Sequence, residues 1–435
     1  MARRQTHIPL NVFLNGCLVG LLRRQGTGAI DFQYDASWLD WEAALPISLS
    51  LPLRENRYVG APVVAVFDNL LPDNEDIRRR LAARVKAEGY DAYSLLSVIG
   101  RDCAGALQFL PDGEGPGPVG QISGRPISNN DIARILEDLG RTPLGLTEAG
   151  EFRMSIAGVQ EKTALLFWND QWCIPHGNTA TTHILKPQIG RREGLDFSMS
   201  VENEYLCMQF TAALGLSTAK TNMMELGGKR VLVVERFDRL WTGDGRLLRL
   251  PQEDCCQALS VPPTLKYEAD GGPGIGDILT LLKGSDDPEY DQKMFMKAVI
   301  VFWLMGATDG HAKNFSIYLG PGGRFHMAPL YDVMSAQPYF ATGQITRNKV
   351  KLALSVSKRR HYTINTIVPR HFIETAEDSG MPARNVQTLL EELLVQTPDA
   401  IDSVLKNLPP DFPEEMAGSI SEGMMHRLGK IRHSI

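Results

Sequence analysis

The stretch Gly306-Ala307-Thr308-Asp309-Gly310-His311-Ala312-Lys313-Asn314 follows an apolar run, Ala298-Val299-Ile300-Val301-Phe302-Trp303-Leu304-Met305. An apolar run of that length ending at a glycine reads as a buried helix or strand that delivers a small polar loop. Within the loop, Asp309 and Asn314 stand in the spacing Asp-x-x-x-x-Asn. That is the spacing of a protein-kinase catalytic loop, where the Asp accepts the proton of the acceptor hydroxyl and the Asn holds magnesium. Two residue types at one spacing recur by chance, so the reading depends on the surrounding chain.

Downstream, Phe315-Ser316-Ile317-Tyr318-Leu319 alternates, Gly320-Pro321-Gly322-Gly323 is a turn, and Arg324-Phe325-His326-Met327-Ala328 alternates again. This predicts a β-hairpin ending at Pro329-Leu330-Tyr331-Asp332-Val333. Loop, hairpin and second Asp is the order in which kinases supply base, Asn ligand and second metal-binding carboxylate. Magnesium takes hard oxygen ligands and few protein groups, so Asn314, Asp332 and ATP phosphates form a sufficient set. Taken singly, a loop Asp can cap a helix and a strand-end Asp can face water. The ordered set favours the site.

Upstream lie the segments expected to hold the nucleotide. Phe152-Arg153-Met154-Ser155-Ile156-Ala157-Gly158-Val159-Gln160-Glu161-Lys162-Thr163 precedes an apolar strand, Ala164 to Trp168. Its small residues let backbone N–H groups approach phosphate oxygens, and Lys162 adds a charge. It is not a Walker A loop, because the order G-x-x-x-x-G-K-[ST] is absent. Thr182-His183-Ile184-Leu185-Lys186-Pro187 alternates and ends in a lysine placed to reach phosphates, with Glu204 on the following predicted helix as its partner. An ordinary surface Lys and Glu would look the same. The strand Arg230 to Asp238 turns polar at its end, where Glu235, Arg236 and Phe237 are placed to line adenine as a hinge.

The first hundred residues read as an α+β module. Val12-Phe13-Leu14 and Cys17-Leu18-Val19 flank Asn15-Gly16, a strong hairpin signal. Ile30-Phe32-Tyr34 and Ile47-Leu49-Leu51 alternate with period two, which predicts further strands. Acids before Ile77 to Lys86 and bases within it predict a helix whose arginines form a solvated face, the alternative being contact with phosphate or an acidic partner. Pro111 to Gly120 is rich in Gly and Pro and reads as a linker unable to hold a helix or a ladder. Asn130 to Gly140 reads as a short amphipathic helix ended by glycine, and Asn385 to Leu394 as a helix of the scaffold.

Composition bounds the rest. A chain of 435 residues with 43% hydrophobic content can bury sizeable cores in two or three domains. A net charge of -6 argues against coating nucleic acid through overall charge. The six cysteines show no C-x-x-C pair and no zinc spacing, and read as reduced thiols. No apolar run reaches membrane-spanning length, and no signal peptide is expected.

Taken together, Ser155 to Thr163, Val234-Glu235-Arg236-Phe237-Asp238, Leu250-Pro251-Gln252-Glu253-Asp254, Ala307 to Asn314 and Tyr331-Asp332 resemble the HipA family. These are bacterial serine/threonine kinases that act as toxins of HipB–HipA toxin–antitoxin modules. The likeness extends to Phe67-Asp68-Asn69-Leu70-Leu71-Pro72-Asp73 and to Lys266 to Gly274, and covers nearly the whole chain. The resemblance implies Asp309 as proton acceptor, Asn314 and Asp332 as magnesium ligands, and Lys186 on the ATP phosphates. It implies Glu235, Arg236 and Phe237 on the adenine side, with His311, Ala312, Lys313, Asn314 and Tyr331 completing the nucleotide pocket. Ala157, Gly158, Val159, Gln160, Glu161 and Lys162 would be the phosphate-covering loop, and Ser155 the autophosphorylation site. Phosphate at Ser155 would place roughly two negative charges in that loop and repel the nucleotide. It further implies glutamyl-tRNA synthetase as an acceptor, a HipB-like helix-turn-helix antitoxin dimer and operator DNA as partners, and a bacterial cytoplasmic location.

From Ala341 to Phe372 there is no acidic residue, while Arg347, Lys349, Lys351, Lys358, Arg359, Arg360 and Arg370 accumulate. Such a cluster can neutralise phosphates of DNA or of a tRNA-bearing substrate, or simply face water. The expected architecture is α+β: a bilobed protein-kinase-like fold behind a small β-rich module. The expected divisions are 1–110 for the N-terminal module, 111–125 for a linker, 126–240 for the lobe with phosphate loop and hinge, and 241–435 for a mainly helical lobe. A small-molecule phosphotransferase would use the same Asp, Asn and metal, and a non-catalytic repressor subunit would use none of them.

Overall fold

The computed structural model describes residues 7–140, 160–192, 194–346 and 349–434. The chain forms two compact units, each discontinuous in sequence. One comprises Met1–Pro187, Met224–Thr264 and Ile317–Phe325; the other comprises Gln188–Met223, Leu265–Ser316 and His326–Ile435.

The first unit starts with the hairpin that Asn15-Gly16 predicts. Strands Leu10–Leu14 and Cys17–Arg24 pair antiparallel, with Leu14 opposite Cys17. Asn15 and Gly16 both have positive φ, 45° and 86°, as a two-residue turn between twisted strands requires. These strands lie centrally in a five-stranded sheet ordered Tyr58–Val59, Ile30–Tyr34, Cys17–Arg24, Leu10–Leu14, Leu107–Pro111. Phe67 of the helix Ala61–Asp68 packs between Phe32 and Phe109 of the sheet, at ring separations of 5.7 and 5.5 Å. All three are fully buried.

Three expectations for this unit are corrected. Ile47 to Leu51 is not a strand. Its alternation comes from burial of Ile47 and Leu51, and its backbone groups bond to side chains: Ile47 N–H and Leu51 C=O to the Tyr34 hydroxyl, Leu49 N–H to Glu253. The helix Glu75–Val85 forms as predicted, capped by Asn74, yet Arg78 is not part of a solvated face. It is buried, 2.6 Å from an Asp68 carboxylate oxygen and donating to the Pro72 carbonyl, while Arg79, Arg80 and Arg84 stay exposed. The third is the end of the expected linker, where Gly124–Pro126 enters a ladder with Gln171–Pro175. An edge strand serves one neighbour only, so it tolerates a proline that a central strand would not.

That edge closes a six-stranded sheet ordered Thr221–Leu226, Lys229–Glu235, His183–Pro187, Thr163–Trp168, Gln171–Pro175, Gly124–Pro126. The lysine strand His183–Pro187 is central, paired antiparallel with Lys229–Glu235 and with Thr163–Trp168.

In the second unit, helices Ser200–Ala213, Pro288–Met305, Ala383–Lys406 and Glu414–Arg432 pack against one another. The apolar run before the quoted loop is helical: Pro288–Met305 starts at a capping Asp287 with Pro288 in its first turn and stops at Gly306, φ 76°. Every residue from Phe295 to Met305 is buried, so this is a central helix buried on all sides. Trp303 donates its indole N–H to the Ile364 carbonyl and Phe302 stacks on Phe315. Among the described residues, no helix is long and apolar enough to cross a membrane.

Candidate active site

The helix Pro288–Met305 delivers the loop, and the loop's first turns follow from its caps. Gly306 takes the left-handed conformation that ends a helix, and Ala307 N–H returns to the Phe302 carbonyl. Gly310 lies against the Phe302 ring: a Cβ built there would stand 2.6 Å from Cδ2. Only glycine lets the backbone pass this closely. Asp309 is thereby held at the loop's crest, with His311 N–H donating to its carbonyl, before a single 3-10 turn at Ala312–Asn314.

The Asp309 carboxylate accepts a 2.7 Å hydrogen bond from the Tyr267 hydroxyl. His311 meets the Tyr267 ring edge-on, with centroids 4.8 Å apart, and the Lys266 ammonium lies 5.3 Å from the same ring. His311, Ala312, Lys313 and Asn314 are all buried. In the sequence, Tyr267 falls within the Lys266 to Gly274 likeness but is given no role. It lies in a separate segment, and a lone tyrosine carries no spacing signal.

The hairpin expected after the loop is present, with strands Ser316–Leu319 and Phe325–Met327 adjacent in a three-stranded sheet. It returns the chain to Asp332 beside the loop. The Asn314 amide nitrogen donates to the Asp332 carbonyl at 3.5 Å, and the Tyr331 hydroxyl donates to the Lys313 carbonyl at 2.9 Å and contacts Ser316 Oγ at 2.7 Å. Two residues with one predicted role are therefore neighbours. Asp332 holds φ of +60°, a backbone state that non-glycine residues rarely adopt and that concentrates at functional positions. Beyond it, Ser335 ties the segment down. Its backbone exchanges two 2.8 Å bonds with the Asn203 amide, and its hydroxyl donates to the Met305 carbonyl at the end of the delivering helix.

Asn314 and Asp332 fit a magnesium ion in donor chemistry. With its nitrogen engaged by the Asp332 carbonyl, Asn314 retains its Oδ1 as a hard oxygen ligand, and Asp332 adds a carboxylate. Among the described residues, no three or more His, Cys, Asp or Glu side chains cluster as an all-protein metal cage. Magnesium at phosphoryl-transfer sites needs none, because waters and phosphates supply the other ligands.

In the first unit, Lys186 is buried on the central strand. The ladder between it and the strand Thr163–Trp168 ends at the pair Thr163 and Leu185, with Lys162 preceding the one and Lys186 following the other. Both lysines are buried. Gln160 donates to the Pro187 carbonyl, and Glu161 is half-buried. Ser155, Ala157, Gly158 and Val159 lie outside the described residues. Lys186 and its expected partner Glu204 belong to different units, and each is buried.

The expected hinge follows the strand Lys229–Glu235. Glu235 ends it, exposed and opposite His183. The Arg236 N–H donates to the Thr182 carbonyl, and the Phe237 carbonyl accepts from the Tyr318 hydroxyl at 2.8 Å while the two rings meet edge-on. Tyr318 is a second supporting residue missed in the sequence. The Arg236 guanidinium does not face a ligand. It is buried between Asp238, at 2.8 Å, and Asp102, at 3.3 Å, and also donates to Thr181 Oγ1 and the Cys103 carbonyl. Arg239 joins both carboxylates, and Arg249 joins Asp102. Burial pushes the Asp102 carboxyl up, but Arg239, Arg236 and Arg249 outweigh it and hold it well below the usual carboxylate range. Asp102 precedes the last strand of the N-terminal module, Leu107–Pro111, so this cluster ties that module to the segment after the strand Lys229–Glu235.

The fold and the relatives of this chain place it among kinases of the serine/threonine class. The family model for the HipA-like C-terminal domain matches residues 154–401, and the HipA N-terminal domain matches residues 10–110. The chain belongs to the HipA family. It is 36% identical over 402 residues to the putative kinase Y4mE of Sinorhizobium fredii, covering 92% of each chain. It is 26% identical to the serine/threonine-protein kinase toxin HipA of Shewanella oneidensis, covering 93% of this chain and 90% of that one. A solved chain from the Shewanella oneidensis HipA, HipB and operator DNA complex superposes with a TM-score of 0.82 at 25% identity, covering 98% of both.

Proposed function

We propose that the chain transfers the γ-phosphoryl group of ATP, with magnesium, to a protein serine or threonine, as the toxin of a toxin–antitoxin pair. The observation that carries this reading is the joining of the Asp309 loop to Asp332 through Asn314. Asp309 takes the proton of the acceptor hydroxyl as its oxygen bonds to the γ-phosphorus and the bond to the β–γ bridging oxygen breaks. Tyr267 orients that carboxylate. Asn314 and Asp332 hold the magnesium ion, which supplies charge neutralisation at the phosphates when bound. Lys186 and Lys162 add positive charge for the phosphates, and Glu235 to Phe237 offer backbone and an aromatic ring to adenine. Little covalent chemistry falls to the protein, so positioning and electrostatics supply most of the rate.

Ser155 is the proposed autophosphorylation site, with the loop Ala157 to Lys162 covering the phosphates, so that modification switches the enzyme off. The proposed partners are a HipB-like helix-turn-helix antitoxin dimer and, through it, operator DNA. Similarity to the HipA chain of the HipA, HipB and operator DNA complex supports them. The proposed acceptor is a translation protein such as glutamyl-tRNA synthetase.

The test is incubation with labelled ATP and magnesium, wild type beside Asp309→Gln, followed by mass mapping. The expected result is label on Ser155 and on an added acceptor in the wild type alone, with transfer lowered by about a thousandfold or more in the variant. Glutamine retains an oxygen for the Tyr267 hydroxyl, so the variant should stay folded. Equal labelling of both proteins would overturn the assignment of Asp309.

A further inference from the structure

The buried cluster behind the hinge is not charge-neutral. Arg236, Arg239 and Arg249 face only Asp102 and Asp238, and the side chains of all five are at most 6% exposed. Three guanidinium groups against two carboxylates leave one positive charge in excess. A buried charge without a counter-charge is costly unless hydrogen bonds or an ion compensate it. Arg236 uses all its nitrogens on Asp238, Asp102, Thr181 and the Cys103 carbonyl. Arg239 does likewise with Asp102 and the carbonyls of Thr181, Gly105, Asp238 and Cys103.

Arg249 differs. Its Nε donates to Asp102 and its Nη2 to the carbonyls of Arg101 and Asn178, at 3.4 and 2.8 Å. Its Nη1 makes no hydrogen bond to a described residue. Arg249 forms part of the wall of a cavity of about 280 Å³ in the first unit, together with the Asn15-Gly16 turn, the segment Gly115 to Gln121 and the loop His176 to Ala180. The glycine-rich segment is folded over this space. Asn178 donates to the Gly115 carbonyl, Leu247 N–H to the Gly120 carbonyl, and Gly16 is so close to Val119 that a Cβ there would stand 2.5 Å from Cγ2. Gly115, Gly117 and Val119 of this segment alternate with Pro116 and Pro118 and are exposed.

From this geometry we infer a binding site for a small oxyanion, a carboxylate or phosphate group, in the cavity between the Gly115 to Gln121 segment and Arg249. The N–H groups of Nη1 can donate to either group in a charge-assisted hydrogen bond, and the bound charge neutralises the excess of the cluster. The ligand would stabilise the clamp between N-terminal module and hinge. The site contains none of the residues assigned to ATP, and the inference stands apart from the kinase reading.

The experiment is thermal unfolding of the full chain with inorganic phosphate or with acetate, against chloride at equal ionic strength. Wild type, Arg249→Met and Lys186→Met are compared. A Tm rise of about 3 °C or more that persists in Lys186→Met and vanishes in Arg249→Met is expected. The two anions show whether carboxylate or phosphate is preferred. Loss of the phosphate effect in Lys186→Met with retention in Arg249→Met would place the anion on the lysine strand and overturn the inference. Arg249→Met removes a buried group and can fail to fold, so wild-type crystals soaked in selenate provide the second reading. An anomalous peak within hydrogen-bond reach of Arg249 Nη1 supports the site, and its absence overturns it.

Discussion

The Tyr267 hydroxyl donates to Oδ1 of Asp309 across 2.7 Å, so the carboxylate assigned to take the acceptor proton is aimed by a side chain 42 positions earlier. A hydrogen bond to a charged group contributes roughly 1.5–3 kcal/mol, and here it also fixes a rotamer. Tyr267→Phe keeps the ring against His311 and removes only this donor. The expected outcome is a fall in kcat of about tenfold to a hundredfold, with KM for ATP and Tm nearly unchanged. Steady-state phosphorylation assays check it; an unchanged kcat would show that the bond does not orient the base.

Gly310 offers a second test of the loop. An alanine methyl would stand 2.6 Å from the Phe302 ring, which is itself packed on Phe315. Neither neighbour can yield without disturbing the core. Gly310→Ala should lower stability by about 1–3 kcal/mol and displace Asp309, reducing transfer more than it reduces stability. Denaturant unfolding alongside activity separates the two effects.

Glu253 makes stability depend on pH. Burial pushes its carboxyl up from the usual carboxylate range to about 8, against the lowering effect of the Leu49 N–H and Ser48. The folded state therefore keeps a proton that the unfolded chain releases above about pH 4.5. Stability contributed by this group is present at low pH and is lost as pH rises through that window toward 8. Glu253→Gln should remove the dependence while keeping an acceptor for Leu49. Relative to wild type it should gain on the order of 3 kcal/mol between pH 5 and pH 8.5, measured by urea unfolding. A difference independent of pH would contradict the assignment.

The clamp behind the hinge predicts the opposite behaviour for Asp102. Its carboxylate joins Arg236, Arg239 and Arg249 and accepts from the Thr181 N–H and hydroxyl. Removing that charge leaves three buried guanidinium groups facing one carboxylate. Asp102→Asn should cost about 3–5 kcal/mol, read by denaturant unfolding. Limited proteolysis should then cut the segment between Leu110 and Gly124 faster than in wild type. A variant as stable as wild type would show that the surrounding carbonyls alone carry the cluster.

Much of this molecule is legible one segment at a time. The Asn15-Gly16 hairpin, the capped helix Glu75–Val85, the helix Pro288–Met305 with its terminal glycine, and the loop from Asp309 to Asn314 each depend on residues within a few positions. Turn chemistry, caps and periodicity act at that range, so the sequence by itself determines these elements and their order. Tertiary structure decided what distant residues do to one another. The alternation at Ile47 to Leu51 looked like a strand because burial alone produces the same pattern, and only the position of Tyr34 shows where those backbone groups bond. Arg78 and Arg236 looked like solvent- or ligand-facing cations, but Asp68 in one case and Asp102 and Asp238 in the other bury them. Tyr267 and Tyr318 gain their roles from Asp309 and Phe237, far away in the chain. A charge or hydroxyl finds its partner by the path of the backbone through space, and no local spacing encodes that path.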